Sequence, residues 1–116
     1  MQTAERLEQY ERITGREAED FLARAVKLVQ ENLPEFTEYF PDSNSEGNFY
    51  PQTENREWTT GFWTGEIWLA YERTKDENLK KAGLIQAKSF LKRITERVDV
   101  DNHDMGFLYT PSCVAA

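Results

Sequence analysis

The sequence predicts an all-α chain built in layers, in which half-exposed helices alternate with buried ones. Three observations carry this. Capping signals, a hydroxyl residue followed three positions on by a carboxylate, stand ahead of apolar residues recurring every three or four positions. One segment rich in Trp and Gly is apolar on nearly all sides, which marks a helix inside a core. The helices flanking it each keep a polar face. A four-helix bundle would make every helix amphipathic, whereas an inner layer wrapped by an outer one needs this alternation.

The first helix is predicted over residues 15–32. Thr14 and Glu17 supply the capping box, and Ala18, Phe21, Leu22, Ala25, Val26 and Val29 form one apolar face. Pro34 ends the element, because a residue before proline is pushed out of the helical region. Residues 34–57 show no helical period. They carry Pro41, Gly47 and Pro51, with Phe36, Tyr39, Phe40, Phe49 and Tyr50 interleaved. Such a stretch is either a functional loop or a surface loop pinned by its aromatics.

A buried helix is predicted over residues 58–73, capped by Thr59 or Thr60 and carrying Phe62, Trp63, Ile67, Trp68, Leu69 and Tyr71. Gly61 and Gly65 lie one turn apart, where another backbone can approach closely. Thr74 and Glu77 read as a second capping box. The helix behind them has Leu84, Ala87, Leu91, Ile94 and Val98 as its apolar stripe. Lys80, Lys81, Lys88, Lys92 and Arg93 lie off that stripe, and Arg97 suits the negative end of the helix dipole. Residues 99–109 read as a connector. Thr110 and Pro111 read as the start of a further buried helix, a hydroxyl cap with proline at the first helical position. A helix of about six residues does not stand alone, so the fold is expected to need chain beyond Ala116. No internal repeat is clear enough for a solenoid, although two helix pairs about 45 residues apart fit a helical repeat loosely.

The 116 residues are 39% hydrophobic and 13% aromatic, too apolar for a disordered chain. The length suits one domain. A net charge of -7 excludes the basic footprint of a nucleic-acid binder, although a local basic pocket for an anionic sugar can sit in an acidic surface. The one cysteine, Cys113, excludes an intramolecular disulfide and is expected to pack among small residues. No run approaches the ~20 apolar residues of a membrane span, and residues 1–15 lack the apolar core of a signal peptide. The expectation is a cytoplasmic chain with no nucleic-acid or membrane partner.

Trp58 stands just before the first buried helix, and His103 and Asp104 a few residues before the second. If the two helices run the same way, these residues meet at one rim. An aromatic face beside carboxylates is how proteins hold and process sugar rings. Asp104 is therefore the candidate catalytic residue, with Trp58 and His103 as candidate substrate-binding residues. The alternative is that Asp104 is a solvated loop residue or a helix cap. The acidic run 99–104 also invites a calcium loop. That loop needs glycine at its sixth position and glutamate at its twelfth, where this chain has Asp104 and Thr110. No metal site is expected. Gly61 and Gly65 lack the lysine and the preceding strand of a phosphate loop.

The run Glu57-Trp58-Thr59-Thr60-Gly61-Phe62-Trp63-Thr64-Gly65, with Trp68-Leu69-Ala70-Tyr71-Glu72 after it, resembles the unsaturated glucuronyl hydrolases, glycoside hydrolase family 88. So does Asn102-His103-Asp104-Met105-Gly106-Phe107. The related unsaturated rhamnogalacturonyl hydrolases match the tryptophan motif less well. The resemblance implies an (α/α)6 barrel of six helical hairpins, of which residues 1–116 would supply about the first four helices as the N-terminal portion of one domain. It implies that Trp58 stacks on the substrate, that His103 lies near it, and that Asp104 is one of two essential aspartates, the second lying beyond residue 116. The implied substrate is an unsaturated glycosaminoglycan disaccharide or oligosaccharide. An acid protonates C4 of the C4=C5 double bond, water adds at C5, and the resulting hemiketal collapses to release the neighbouring sugar. No metal or organic cofactor is implied. The chain alone is expected to be inactive. The other reading open to it is a small helical interaction or scaffold protein that keeps the Trp motif for packing.

Overall fold

A computed structural model of the chain describes Glu8 and residues 10–116. The polar opening read as leaderless, residues 1–15, lies partly outside them. Helix α1 spans Gly15–Asn32, as the capping box predicts. The Thr14 amide donates to Glu17 Oε2 at 2.7 Å, and the Glu17 amide donates back to Thr14 Oγ1 at 3.2 Å. The Thr14 amide and the Thr14 hydroxyl, both donating to the Glu17 carboxylate, hold that carboxyl below its ordinary pKa. The apolar face of α1 is only partly used. Val29 is buried and Val26 packs against the core, while Phe21 and Leu22 stay exposed.

The segment after α1 is more ordered than its lack of helical period suggests. Strands β1 (Phe40–Pro41) and β2 (Gln52–Thr53) pair antiparallel, with Phe40 opposite Thr53. Two residues are too few to print an alternation in sequence. The aromatics do the pinning. Phe40 is buried edge-on to Phe90, ring centres 5.8 Å apart, and Phe36 meets Trp63 in the same manner.

Helix α2 spans Thr60–Thr74 and buries Trp63, Ile67, Trp68 and Ala70. It is not enclosed on every side, since Leu69 is 67% exposed and Phe62 39%. Helix α3 spans Glu77–Thr95. Its cap differs from the predicted box. Thr74 belongs to α2, where its hydroxyl donates to the Ala70 carbonyl, and Lys75 turns the chain with a left-handed φ of 58°. Asp76 takes the cap, accepting from the Asn78 amide at 2.9 Å. It stands next to the first helical residue, where a side-chain oxygen reaches the free amides.

The inward face of α3 also differs from the predicted stripe. Leu84, Leu91 and Ile94 are exposed; Leu79, Ala82, Gly83, Gln86, Phe90 and Arg93 are buried. Arg97 lies past the helix end with a φ of 57°. The inward face contains two polar side chains that an apolar count passes over, because each is buried with its hydrogen bonds made. Gln86 Nε2 donates to the Phe36 carbonyl at 2.6 Å, and Gln86 Oε1 accepts from the Thr64 hydroxyl at 2.6 Å. Trp63 Nε1 donates to the same Phe36 carbonyl at 2.8 Å.

Helix α4 spans Met105–Tyr109 and passes into a π-helical turn at Thr110–Val114. The predicted start at Thr110 is therefore late by one short helix. Pro111 lies inside the element and widens it: proline has no N–H to give the preceding turn, and its ring crowds the carbonyl there. Cys113 is exposed, and the buried small residue is Ser112.

Helices α2 and α4 run parallel, and glycine sets their separation. A Cβ on Gly61 would collide with the main chain of Phe107 and Leu108, and one on Gly65 would come within 2.8 Å of Pro111 Cβ. One turn further on, Trp68 Nε1 donates to the Ser112 carbonyl at 2.9 Å. Ile67, Leu79, Phe90 and Leu108 are fully buried and form the centre of the core shared by α2, α3 and α4. Among the described residues no helix is long and apolar enough to cross a membrane.

Candidate functional site

The parallel course of α2 and α4 brings their N-terminal ends to one rim. Trp58, two residues ahead of α2, is 45% exposed there. Its ring centre lies 6.2 Å from that of Phe62 and 6.4 Å from that of Phe107. Phe62 and Phe107 are themselves 5.5 Å apart. All three rings are partly open to solvent, so the rim carries an aromatic platform. The sequence points to Trp58 as a site residue but places Phe62 in the buried helix and gives Phe107 no role in the site. Spacing was the available signal: Phe62 follows Trp58 by four residues and Phe107 follows Asp104 by three, one helical turn in each case.

Asp104 caps α4 in position but not by hydrogen bonding, for its carboxylate accepts nothing from the helix amides. Its backbone carbonyl accepts from the amides of Phe107 and Leu108 at 2.9 and 3.2 Å. The carboxylate is left available at the rim, its side chain 21% exposed, with His103 Nε2 3.5 Å from Oδ1. The His103 side chain is 93% exposed. The Asp104 amide donates to Asn102 Oδ1 at 2.8 Å, which fixes the entry to the helix. Trp58, His103 and Asp104 thus gather at one end of the α2–α4 pair, joined through Phe107.

From this rim a groove of about 950 Å³ runs between α1 and α2. Leu22, Val26, Phe36, Phe62 and Trp63 line it, and Glu66 and Glu72 are acids on its α2 wall. Burial raises the Glu66 carboxyl above its ordinary pKa. The Thr59 hydroxyl at the groove is buried without a hydrogen-bond partner among the described residues.

No family model matches the chain. An unsaturated chondroitin disaccharide hydrolase of Streptococcus pneumoniae is 44% identical over 103 residues, covering 89% of this chain and 26% of the relative. The enzyme of the same description from Streptococcus pyogenes is 42% identical over 96% of this chain and 29% of its own length. In three dimensions, a mutant of the unsaturated glucuronyl hydrolase from Streptococcus agalactiae, complexed with dGlcA-GalNAc6S, superposes with a TM-score of 0.88 at 42% identity, over 96% of this chain and 29% of that one. The chain is homologous to the unsaturated glucuronyl hydrolases. It spans about a quarter of the length of the curated relatives it matches. Its helices are those of the corresponding part of the unsaturated glucuronyl hydrolase fold.

Proposed function

We infer that this chain supplies the Trp58–Asp104 half of an unsaturated glucuronyl hydrolase active site, as the N-terminal portion of one six-hairpin (α/α)6 domain. The substrate is an unsaturated uronic acid at the non-reducing end of a glycosaminoglycan disaccharide or oligosaccharide. The observation that carries this reading is the contact of the Trp58 ring with the Phe107 ring, which sets the start of α2 beside α4 with Asp104 at the N-terminal end of α4, in a chain homologous to these enzymes over most of its length. The disaccharide dGlcA-GalNAc6S bound by the Streptococcus agalactiae mutant is of the proposed substrate class.

On this reading the roles divide among the rim residues. The sugar ring lies on Trp58, and Phe62 and Phe107 brace that indole edge-on and exclude water from its far side. His103, fully accessible, reaches a hydroxyl or the uronate carboxylate. Asp104 accepts from a substrate hydroxyl and opposes the positive charge that develops at C5 when C4 is protonated. The proton comes from a second carboxylic acid elsewhere in the complete enzyme. That group, once ionised, takes a proton from the water adding at C5. The hemiketal at C5 then opens, and the glycosidic bond breaks to free the neighbouring sugar. No step calls on a metal or an organic cofactor. We place the reaction in the cytoplasm, where a lone cysteine such as Cys113 stays reduced.

The test is Asp104→Asn in the intact protein, with loss of the double bond's ultraviolet absorbance as the readout. Turnover should fall ~100-fold or more, with the thermal midpoint unchanged. A variant that keeps wild-type turnover removes Asp104 from the site.

A further inference from the structure

Arg93 was expected on the solvated side of α3, but it is 2% exposed. Its guanidinium is used on every edge. Nε donates to the Val98 carbonyl at 3.0 Å. Nη1 donates to the Glu57 carbonyl at 2.9 Å and to Asn55 Oδ1 at 3.2 Å. Nη2 donates to the Arg56 carbonyl at 3.1 Å, and to the Asp99 carbonyl and Oδ2 at 3.3 Å each. Helix α3 is itself anchored in the core by Leu79 and Phe90, both fully buried. The charge is therefore fixed in place by a rigid element.

Two chains of connection leave this guanidinium. The Glu57 carbonyl belongs to the peptide group that joins Glu57 to Trp58, so Nη1 fixes the plane from which the indole projects. On the other side, the Asp99 carbonyl that accepts from Nη2 also accepts from Asn102 Nδ2 at 2.9 Å. Asn102 Oδ1 then accepts from the Asp104 amide at 2.8 Å. One side chain thus holds both halves of the rim. It also holds the chain between them in a costly conformation, since Arg97 and Asp99 have φ of 57° and 45°, values that non-glycine residues adopt only when the surroundings impose them.

We propose that Arg93 is a positioning residue that sets Trp58 against Asp104, through the Glu57 peptide on one side and the Asp99–Asn102 link on the other. This rests on the functional reading above. Lysine cannot replace it: an ammonium has three donors on one atom, whereas the planar fork spans chain segments on both sides of the rim. Displacing either arm by an ångström is enough to cost about 100-fold in rate.

The experiment compares Arg93→Lys and Asn102→Ala in the intact protein by two readouts. One is amide hydrogen exchange; the other is kcat and KM on an unsaturated chondroitin disaccharide. Arg93→Lys should speed exchange at residues 56–58 and 98–104 together, leave the amides of α2 slow, lower kcat and raise KM. Asn102→Ala should loosen residues 102–104 alone and lower kcat with KM near wild type. If Arg93→Lys does not fold, Asn102→Ala carries the test. For Arg93→Lys, exchange that rises at one arm only, or kcat and KM unchanged while both arms loosen, overturns the proposal; for Asn102→Ala, faster exchange at residues 102–104 with kcat unchanged does so. A wild-type protein with no action on the sugar sinks the functional reading instead, and the exchange pattern then decides the linkage alone.

Discussion

Trp58 stands against Phe107 with ring centres 6.4 Å apart and planes at 62°, although one precedes α2 and the other lies within α4. The contact leaves Trp58 45% exposed. A ring in that position is braced rather than buried. Trp58→Ala is expected to weaken disaccharide binding about tenfold, or about 1.4 kcal/mol, and to lower stability by only ~1 kcal/mol, as for other partly exposed side chains. Calorimetric titration and thermal melting of the same variant separate the two. A collapse in melting temperature would mean that the indole is a packing residue.

At Gly61, α2 lies so near α4 that any Cβ meets main chain rather than a movable side chain. Gly61→Ala should therefore cost about 3 kcal/mol or more, at the upper end of overpacking penalties. Gly106, within α4, has nothing within 4 Å of its notional Cβ. Gly106→Ala should be neutral or add up to ~1 kcal/mol through helix propensity. Denaturant melts of the pair give the comparison, and equal effects at the two positions would contradict the packing described.

The Glu66 carboxyl has its pKa raised by burial at the groove. The folded chain then holds this proton more tightly than the unfolded chain does. Its contribution is lost as pH rises from the ordinary carboxylate value through the raised one. Glu66→Gln should raise the melting temperature at neutral pH and leave it unchanged below the ordinary glutamate pKa. A gain of equal size at both pH values would assign the effect to something other than ionisation.

Phe21, Leu69, Leu84, Leu91 and Ile94 are all exposed. Soluble monomers rarely show contiguous apolar area beyond a few hundred Å². The 116-residue chain, made by itself, is expected to bind a hydrophobic dye and to self-associate with rising concentration. Sedimentation of a dye-silent monomer across that range would overturn the expectation.

The helices were legible where local chemistry decides them. Thr14 and Glu17 announce α1 because a capping box acts within one turn, and the mutual spacing of Gly61 and Gly65 announces the close approach of a neighbour. What could not be read was which face of α3 turns inward. Leu84, Leu91 and Ile94 outscore the true face in hydrophobicity, while Gln86 and Arg93 look like solvent residues until their partners are known. Those partners, Phe36, Thr64, Glu57 and Asp99, lie elsewhere in the chain, and no periodicity connects them. The site followed the same division. Trp58, His103 and Asp104 were readable from motif and order, but Phe62 and Phe107 enter only once α2 and α4 are seen to run parallel. Cys113, expected to pack, is exposed, while its neighbour Ser112 is the buried residue of the widened turn that holds Pro111.

The Phe36 carbonyl receives both the Trp63 indole and the Gln86 amide, and Gln86 in turn receives the Thr64 hydroxyl. Greasy surfaces slide; this junction does not. Were α3 displaced along α2 by a single turn, most of its apolar contacts would find substitutes, but the amide of Gln86 and the oxygen of Phe36 would be stranded out of reach of water, at about 1–3 kcal/mol for each orphan. The junction works as a detent, which makes one alignment of the helices cheaper than its near neighbours. Replacing Gln86 by leucine would therefore leave a chain that still collapses but no longer knows where to stop.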